Sequence, residues 1–420
     1  MRHFAPRNGE LYAEDVPLSA IANAIGTPTY VYSRATLSRH YNVFADAFSD
    51  VETLVAYSVK ANSNLAVLKV LGALGAGADV VSGGELMRAL RAGIAPNKIV
   101  FSGVGKTRGE MADALRAGIC VFNVESLPEL QALSEVAVSL GAVAPIAFRV
   151  NPDVAAGGHE KITTGTAQNK FGIAWETARE AYRIAADLPG INVIGVDVHI
   201  GSQIADLAPF EAMIKRVGGL IAQLRADGHV IESFDLGGGL GIPYGDTKDA
   251  PPLPSDYAAL VKRLTADMDV RLIFEPGRMI AGNAGVLLSK VTYVKDAQMG
   301  GPNFLILDAA MNDLIRPALY DAYHAIEAVR PRDGSITYDI VGPVCESGDT
   351  FAKSRDLNPM QAGDLVVIHS AGAYGAVQAS QYNTRPQVPE VLVDGDKFAV
   401  IRQRPTVEDI LSNESIPDWI

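Results

Sequence analysis

Apolar residues along this chain fall into short runs that alternate with longer stretches of helical periodicity. Thr53–Lys60 (TLVAYSVK) is rich in β-branched and aromatic residues, and a helical pattern follows from Asn64 to Leu74. The unit recurs as Ala78–Ser82 with Gly84–Ala92, Lys98–Ser102 with Arg108–Ala117, and Ile119–Glu125 with Leu127–Leu140. Further strands are predicted at Pro145–Asn151, Val193–Ile200, Ile231–Leu236 and Arg271–Glu275. Runs such as VIGVDVHI and IVFS are almost continuously apolar, as strands buried on both faces are, which predicts a parallel sheet. Eight strands in alternation with helices predict a (β/α)8 barrel of the TIM type. A doubly wound sheet fits less well, because no G-x-G-x-x-G turn follows the first strand.

After about Gly282 the rhythm changes. Val286–Val294, Phe304–Asp308, Thr337–Val341 and Leu365–His369 read as strands. Glu390–Val393 and Phe398–Arg402 read as a hairpin around Asp394-Gly395-Asp396. The second domain is therefore expected to be mostly β, a sandwich or small barrel. The expected division is 31–280 for the barrel, with 1–30 and 281–420 together forming the β domain.

Composition narrows the function. The 420 residues are 48% hydrophobic and 20% charged, an ordinary globular balance. A net charge of −12 repels phosphate backbones and argues against a nucleic-acid partner. The uncharged run Val136 to Phe148 is too short for a membrane span and contains Pro145. The opening MRHFAPRNGELYAED lacks the apolar run of a signal peptide, so a cytoplasmic protein is expected. Two cysteines, Cys120 and Cys345, make neither a disulfide framework nor a Cys-rich zinc site, and no metal is expected. Cys120 begins an apolar strand and reads as an inert core thiol.

Barrel enzymes place their chemistry at the C-terminal ends of the strands. Lys60 falls at the end of the first predicted strand and His199 at the sixth. Gly237-Gly238-Gly239-Leu240-Gly241 follows the seventh, and Glu275-Pro276-Gly277-Arg278 the eighth. A lysine pressed against a barrel interior loses solvation and offers a nucleophilic amine for Schiff-base chemistry with carbonyls. A glycine run lets backbone N–H groups approach a phosphate, and Ser202 could add a hydroxyl. Lysine, phosphate cradle and carboxylate are the parts that a pyridoxal-phosphate site requires, the carboxylate keeping the pyridine nitrogen protonated. In the β domain, Gly342-Pro343-Val344-Cys345-Glu346-Ser347-Gly348-Asp349 sets a thiol among turn residues. Arg316 and two phenols, Tyr320 and Tyr374, are suited to gripping a substrate carboxylate.

These residues resemble the diaminopimelate decarboxylase family, in the alanine-racemase-like (fold-type III) group of pyridoxal-phosphate enzymes. The resemblance runs along nearly the whole chain through YSVKAN, HIGSQ, GGGLG, EPGR, RPALYDAYH, GPVCESGD and GAYG, in that order. YSVKAN or GGGLG alone indicates only the wider group, whereas HIGSQ with RPALYDAYH and CESGD is more specific. The resemblance implies that Lys60 carries pyridoxal phosphate and that His199 stacks on its ring. It implies that Ser202, Gly239, Gly277 and Arg278 surround the phosphate, with Tyr374 reaching it, and that Glu275 faces the pyridine nitrogen. Arg278, Arg316, Tyr320, Glu346 and Tyr374 would bind the amino-acid substrate. Cys345 would donate the proton, delivered from the neighbouring subunit of a homodimer with shared active sites. The implied reaction converts meso-diaminopimelate to L-lysine and CO2.

One local departure follows GAYG, where the chain reads Ala376-Val377-Gln378-Ala379-Ser380-Gln381-Tyr382-Asn383 in place of a Ser-Asn-Tyr-Asn-like run. Three other readings compete. A relative of the same fold acting on ornithine, arginine or a carboxylated polyamine would diverge at HIGSQ and CESGD. An alanine racemase generally lacks a carboxylate at the pyridine nitrogen, and this chain has Glu275. A non-catalytic pyridoxal-phosphate-binding protein would need the lysine and cradle alone.

Overall fold

The computed structural model describes residues 3–155, 170–245 and 250–420. The chain forms two compact units, each considered by itself: the described residues of Met1–Leu37, Tyr244–Thr247 and Ala281–Ile420, and those of Ser38–Pro243 and Lys248–Ile280.

The second of these is a closed barrel of eight parallel strands. Thr53–Ser58, Gly77–Val80, Ile99–Phe101, Val121–Val124, Ala144–Asn151, Ile191–Asp197, Ser233–Asp235 and Arg271–Phe274 pair in chain order. The eighth strand returns to the first, with Leu272 opposite Thr53 and Phe274 opposite Val55. Closure removes every open edge among these strands, and short apolar strands buried on both faces supply the interior. Leu54, Ala56, Val100, Val121, Ala147 and Ile273 fill one cluster of it.

Four of the barrel helices begin where the sequence places a capping side chain. Asn64 accepts from the Ala66 N–H, Ser82 from Glu85 and Ser126 from Glu129. Thr107 and Glu110 form a reciprocal capping box at the head of Arg108–Ala117, and left-handed Gly118 closes that helix. Each such cap contributes about 1 kcal/mol.

Several predicted strands run a residue or more too long, and in two of them the excess covers a candidate residue. The first ends at Ser58, and Lys60 sits in the one-turn helix Val59–Ala61; the sixth ends at Asp197, before His199. Both residues therefore lie on the loops above the strands.

The other unit is a mixed sheet whose order is Thr350–Leu357, Ile336–Val341, Asn303–Leu307, Gly285–Lys295, Thr29–Ser33, Glu390–Asp394, Lys397–Arg402. Leu365–Ile368 also pairs with Gly285–Lys295 and carries Ile326–Ala328 on its other side. All five residues of Thr29–Ser33 are buried, because the strand lies between Gly285–Lys295 and Glu390–Asp394. Pattern reading misses Thr350–Leu357 because Lys353, Arg355 and Asp356 make it polar. It lies at the end of the sheet order, where a charged face meets water at little cost.

Asp313 is buried in this unit, and its Oδ2 accepts the Ala310 N–H at 2.8 Å. Burial pushes its carboxyl up to about 7, against the pull of that N–H and of Arg385 and Arg404. A folded pKa above the unfolded one contributes stability that is complete below the unfolded pKa and is lost as pH rises through the folded one. Asp313→Asn keeps an acceptor for Ala310 and cannot ionise. Its melting temperature should therefore gain on the parent from about pH 4 to about pH 7 and level off above that. A pH-independent offset in paired thermal melts would show that Asp313 does not titrate in this range.

Candidate active site

The C-terminal ends of the barrel strands carry a polar network under little water. Lys60 Nζ lies 2.7 Å from Asp79 Oδ2, and Asp79, on the second strand, is wholly buried. The Ser58 hydroxyl reaches the same Asp79 oxygen at 2.8 Å and the Glu275 carbonyl at 3.0 Å. Lys60 is not stripped of water as a strand-end lysine would be. Its side chain is 36% exposed, since the one-turn helix lifts it to the rim, and Asp79 aims it.

Glu275 follows the eighth strand and is buried. Its Oε1 accepts from Ser102 Oγ at 3.1 Å and from Asn123 Nδ2 at 3.4 Å. Asn123 Nδ2 also lies 3.3 Å from Asp235 Oδ2, and Asp235 Oδ1 accepts the Gly237 N–H at 2.9 Å. Carboxylate oxygens of Asp197, Asp235 and Glu275 all lie within 4.8 Å of one another. Burial first, and mutual repulsion second, push all three carboxyls well above the usual range. Arg149 stays charged among them despite its own burial, held so by Glu125, Asp197 and Glu275.

His199 accepts the Gly238 N–H at Nδ1, 3.2 Å away. A backbone N–H can only donate, so this nitrogen carries the lone pair. Burial, with Arg149 and Lys60 adding to it, pushes the imidazole well below its usual range, so the ring is neutral.

The two loops after the sixth and seventh strands are stitched together. The Ile204 N–H donates to the Gly239 carbonyl at 2.9 Å, and Gln203 Nε2 donates to the Ile242 carbonyl at 2.6 Å. Gly239 takes φ +107°, and a Cβ there would stand 2.6 Å from the Gly201 carbonyl. A Cβ on Gly277 would meet both Ala61 and Ser58 at 2.9 Å. These contacts require glycine at both positions. The Arg278 guanidinium donates through Nη2 to Ser202 Oγ at 3.0 Å. Seven of the candidate residues thus gather in the barrel unit: Lys60, His199, Ser202, Gly239, Glu275, Gly277 and Arg278.

Arg316, Tyr320, Cys345, Glu346 and Tyr374 belong to the other unit. Cys345 is exposed, and its backbone N–H donates to Asn383 Oδ1 at 2.9 Å. Asp349 shapes the same loop, taking the Met311 N–H at 2.6 Å and the Val344 N–H at 2.7 Å. Tyr374 takes φ +56°, and Arg316, at the head of the helix Arg316–Tyr320, is buried. Sequence reading passed over Asp79, Ser102, Asn123, Asp197, Asp235 and Asn383. The signal for most of them is a lone polar residue inside an apolar strand, as in GADVV, VFNV and VDV.

The model of the pyridoxal-dependent decarboxylase family, pyridoxal binding domain, matches residues 34–282. A diaminopimelate decarboxylase of Vibrio cholerae is 54% identical over 97% of both chains. That of Zymomonas mobilis is 51% identical over 99% of each. The chain belongs to the diaminopimelate decarboxylase family. Among solved structures, a diaminopimelate decarboxylase from Helicobacter pylori complexed with L-lysine superposes with a TM-score of 0.90 at 40% identity, covering 94% of this chain and 98% of that one. The family's cofactor is pyridoxal phosphate, and the barrel residues fit it. They offer an amine for an aldehyde, a buried carboxyl for a ring nitrogen, and glycine backbone beside Ser202 and Arg278 for a phosphate.

Gly239→Ala should cost about 1–3 kcal/mol, because it adds left-handed strain to a clash with backbone. Its melting temperature without cofactor should fall by several degrees, and its affinity for pyridoxal phosphate should drop. An unchanged melting temperature would mean that the stitched loops tolerate the side chain.

Proposed function

We infer that the protein is a diaminopimelate decarboxylase, a pyridoxal-phosphate-dependent carboxy-lyase that converts meso-2,6-diaminopimelate to L-lysine and CO2 in lysine biosynthesis. One observation carries this reading: the chain matches enzymes of that name over almost its full length at about half identity. When bound, pyridoxal phosphate supplies an electron sink for the carbon that loses CO2.

In this reading Lys60 holds the cofactor's aldehyde carbon, with Asp79 aiming the amine. Glu275 faces the ring nitrogen. A cationic N–H opposite this carboxyl supplies the counter-charge that burial withholds from it, so the carboxylate and the protonated ring favour each other. His199 packs its neutral ring against the cofactor, which adds no positive charge to compete with the pyridine. Ser202, Gly239, Gly277 and Arg278 hold the phosphate, and Tyr374 reaches it. Arg278, Arg316, Tyr320, Glu346 and Tyr374 bind the substrate, Arg316 gripping the distal carboxylate. Cys345 donates the proton at its Sγ that replaces CO2.

The enzyme works as a cytoplasmic homodimer in which each subunit lends Cys345 to its partner's site. The exposure of Cys345 and its place in a different unit from Lys60 support this sharing.

Release of CO2 from diaminopimelate, with little from ornithine, arginine or lysine, tests the reading. A site built for a charged distal end leaves buried polar groups unpaired when that end is missing. Comparable turnover of ornithine would overturn it. Borohydride should fix the cofactor on Lys60, and Lys60→Ala should lose both the lysine-linked absorption band and activity. Trapping on another lysine would refute the assignment.

Sharing has its own test. Lys60→Ala and Cys345→Ala homodimers should each be inactive, while a mixed dimer has one intact site. Equal mixtures, refolded together, should recover roughly a quarter of wild-type activity. No recovery from demonstrated mixed dimers would place the whole site within one chain.

A further inference from the structure

The segment Arg316–His324 turns back on itself. The helix Arg316–Tyr320 is only five residues long and is closed by left-handed Asp321 at φ +51°, whose N–H returns to the Arg316 carbonyl. The reversal brings residue 324 alongside residue 316, and Arg316 Nη1 lies 2.8 Å from His324 Nε2. The other ring nitrogen, Nδ1, lies 2.8 Å from the His369 carbonyl oxygen. A carbonyl only accepts and a guanidinium only donates. Both contacts are therefore met by one form of the ring, neutral, with its proton on Nδ1 and its lone pair on Nε2 aimed at Arg316.

The imidazole is completely buried and is fixed from several sides. The Tyr244 ring meets it edge-on at 5.2 Å and also lies under the Arg316 guanidinium, 4.6 Å from ring centre to carbon. The backbone around the ring is tied down as well. Arg355 Nη1 donates to the His324 carbonyl at 3.0 Å, the Ala325 N–H donates to Tyr244, and the His369 N–H donates to the Ala325 carbonyl. The His369 ring, in turn, is bound to the Glu327 carboxylate.

We propose that His324 is the positioning residue for Arg316, a neutral hydrogen-bond acceptor that fixes the guanidinium for the substrate's distal carboxylate. A carboxylate in the place of His324 would orient Arg316 but also neutralise it and compete with the substrate. An imidazole held neutral orients the guanidinium and leaves its charge intact. Tyr244 shares the task through its ring face, which attracts the cation without accepting a hydrogen bond. The inference rests on the reading of Arg316 as the grip for that carboxylate.

His324→Phe keeps the planar shape and removes the acceptor. The KM for diaminopimelate should rise about tenfold or more while kcat stays within about threefold, the pattern of lost substrate binding without lost chemistry. His324→Gln, whose amide oxygen can accept from Arg316, should return KM to within about threefold of wild type. In an Arg316→Ala background, either change at 324 should add nothing further to KM, because the two residues act as one unit. Nitrogen NMR of 15N-histidine protein, with His324 assigned by its loss in His324→Gln, should show a neutral ring protonated at Nδ1.

A charged His324 would overturn the proposal. So would an unchanged KM in folded His324→Phe, or a His324→Phe defect that persists in full without Arg316. If Arg316→Ala itself leaves KM unchanged, the reading of Arg316 fails and the proposal falls with it. A large effect of Arg316→Ala beside a silent His324→Phe sinks the positioning role alone.

Discussion

Charge kept away from water is the constraint around which the barrel mouth is built. Asp79, Asp197, Asp235 and Glu275 all lie inside it and are almost fully buried. Each buried carboxylate costs several kcal/mol unless a proton or a partner answers it. Asp79 is answered by Lys60 and Ser58, and Glu275 by Ser102 and Asn123. Asp235 is answered by Asn123 and the Gly237 N–H, whereas Asp197 Oδ1 has no hydrogen-bond partner among the described residues. With burial and mutual repulsion added, Asp197, Asp235 and Glu275 hold protons more tightly than exposed carboxyls do. The same low dielectric strengthens attraction to any cation set opposite Glu275. A protonated ring nitrogen is such a cation, so the environment that disfavours the bare carboxylate favours the loaded site.

The glycine-rich loops solve a steric problem beside this electrostatic one. The loops after the sixth, seventh and eighth strands must pack closely on one another, and the proposed phosphate site needs their backbone just as close. Gly238 shows the limit, since a Cβ there would stand 2.3 Å from the Glu275 carbonyl. The loop that bears Gly239 is thereby packed directly on the backbone of Glu275.

In the other unit, polar side chains hold the loop that carries Cys345 and Glu346. Asp349 draws in the N–H groups of Met311 and Val344, which fixes the turn bearing Cys345 and Glu346. Asn383 adds a bond to the Cys345 backbone from the segment that follows Gly375. That segment therefore supports a loop proposed to take part in the chemistry.

The alternation of apolar runs with helical periodicity was enough to read eight barrel strands, because buried strands and capped helices write their period locally. That the glycine run and Glu275 follow strand ends was legible for the same reason, whereas Lys60 lies two residues beyond its strand, in a one-turn helix that the apolar pattern did not show. The sequence could not say that Lys60 meets Asp79, that Asn123 joins Glu275 to Asp235, or that His324 turns its lone pair toward Arg316. Each of those contacts joins residues from different elements or across a chain reversal, and each depends on angles that only barrel closure and the packed sheet impose. The strand Thr29–Ser33 makes the same point. Its apolar pattern is present in the sequence, but its place between two strands more than 250 residues further along is decided by tertiary packing alone.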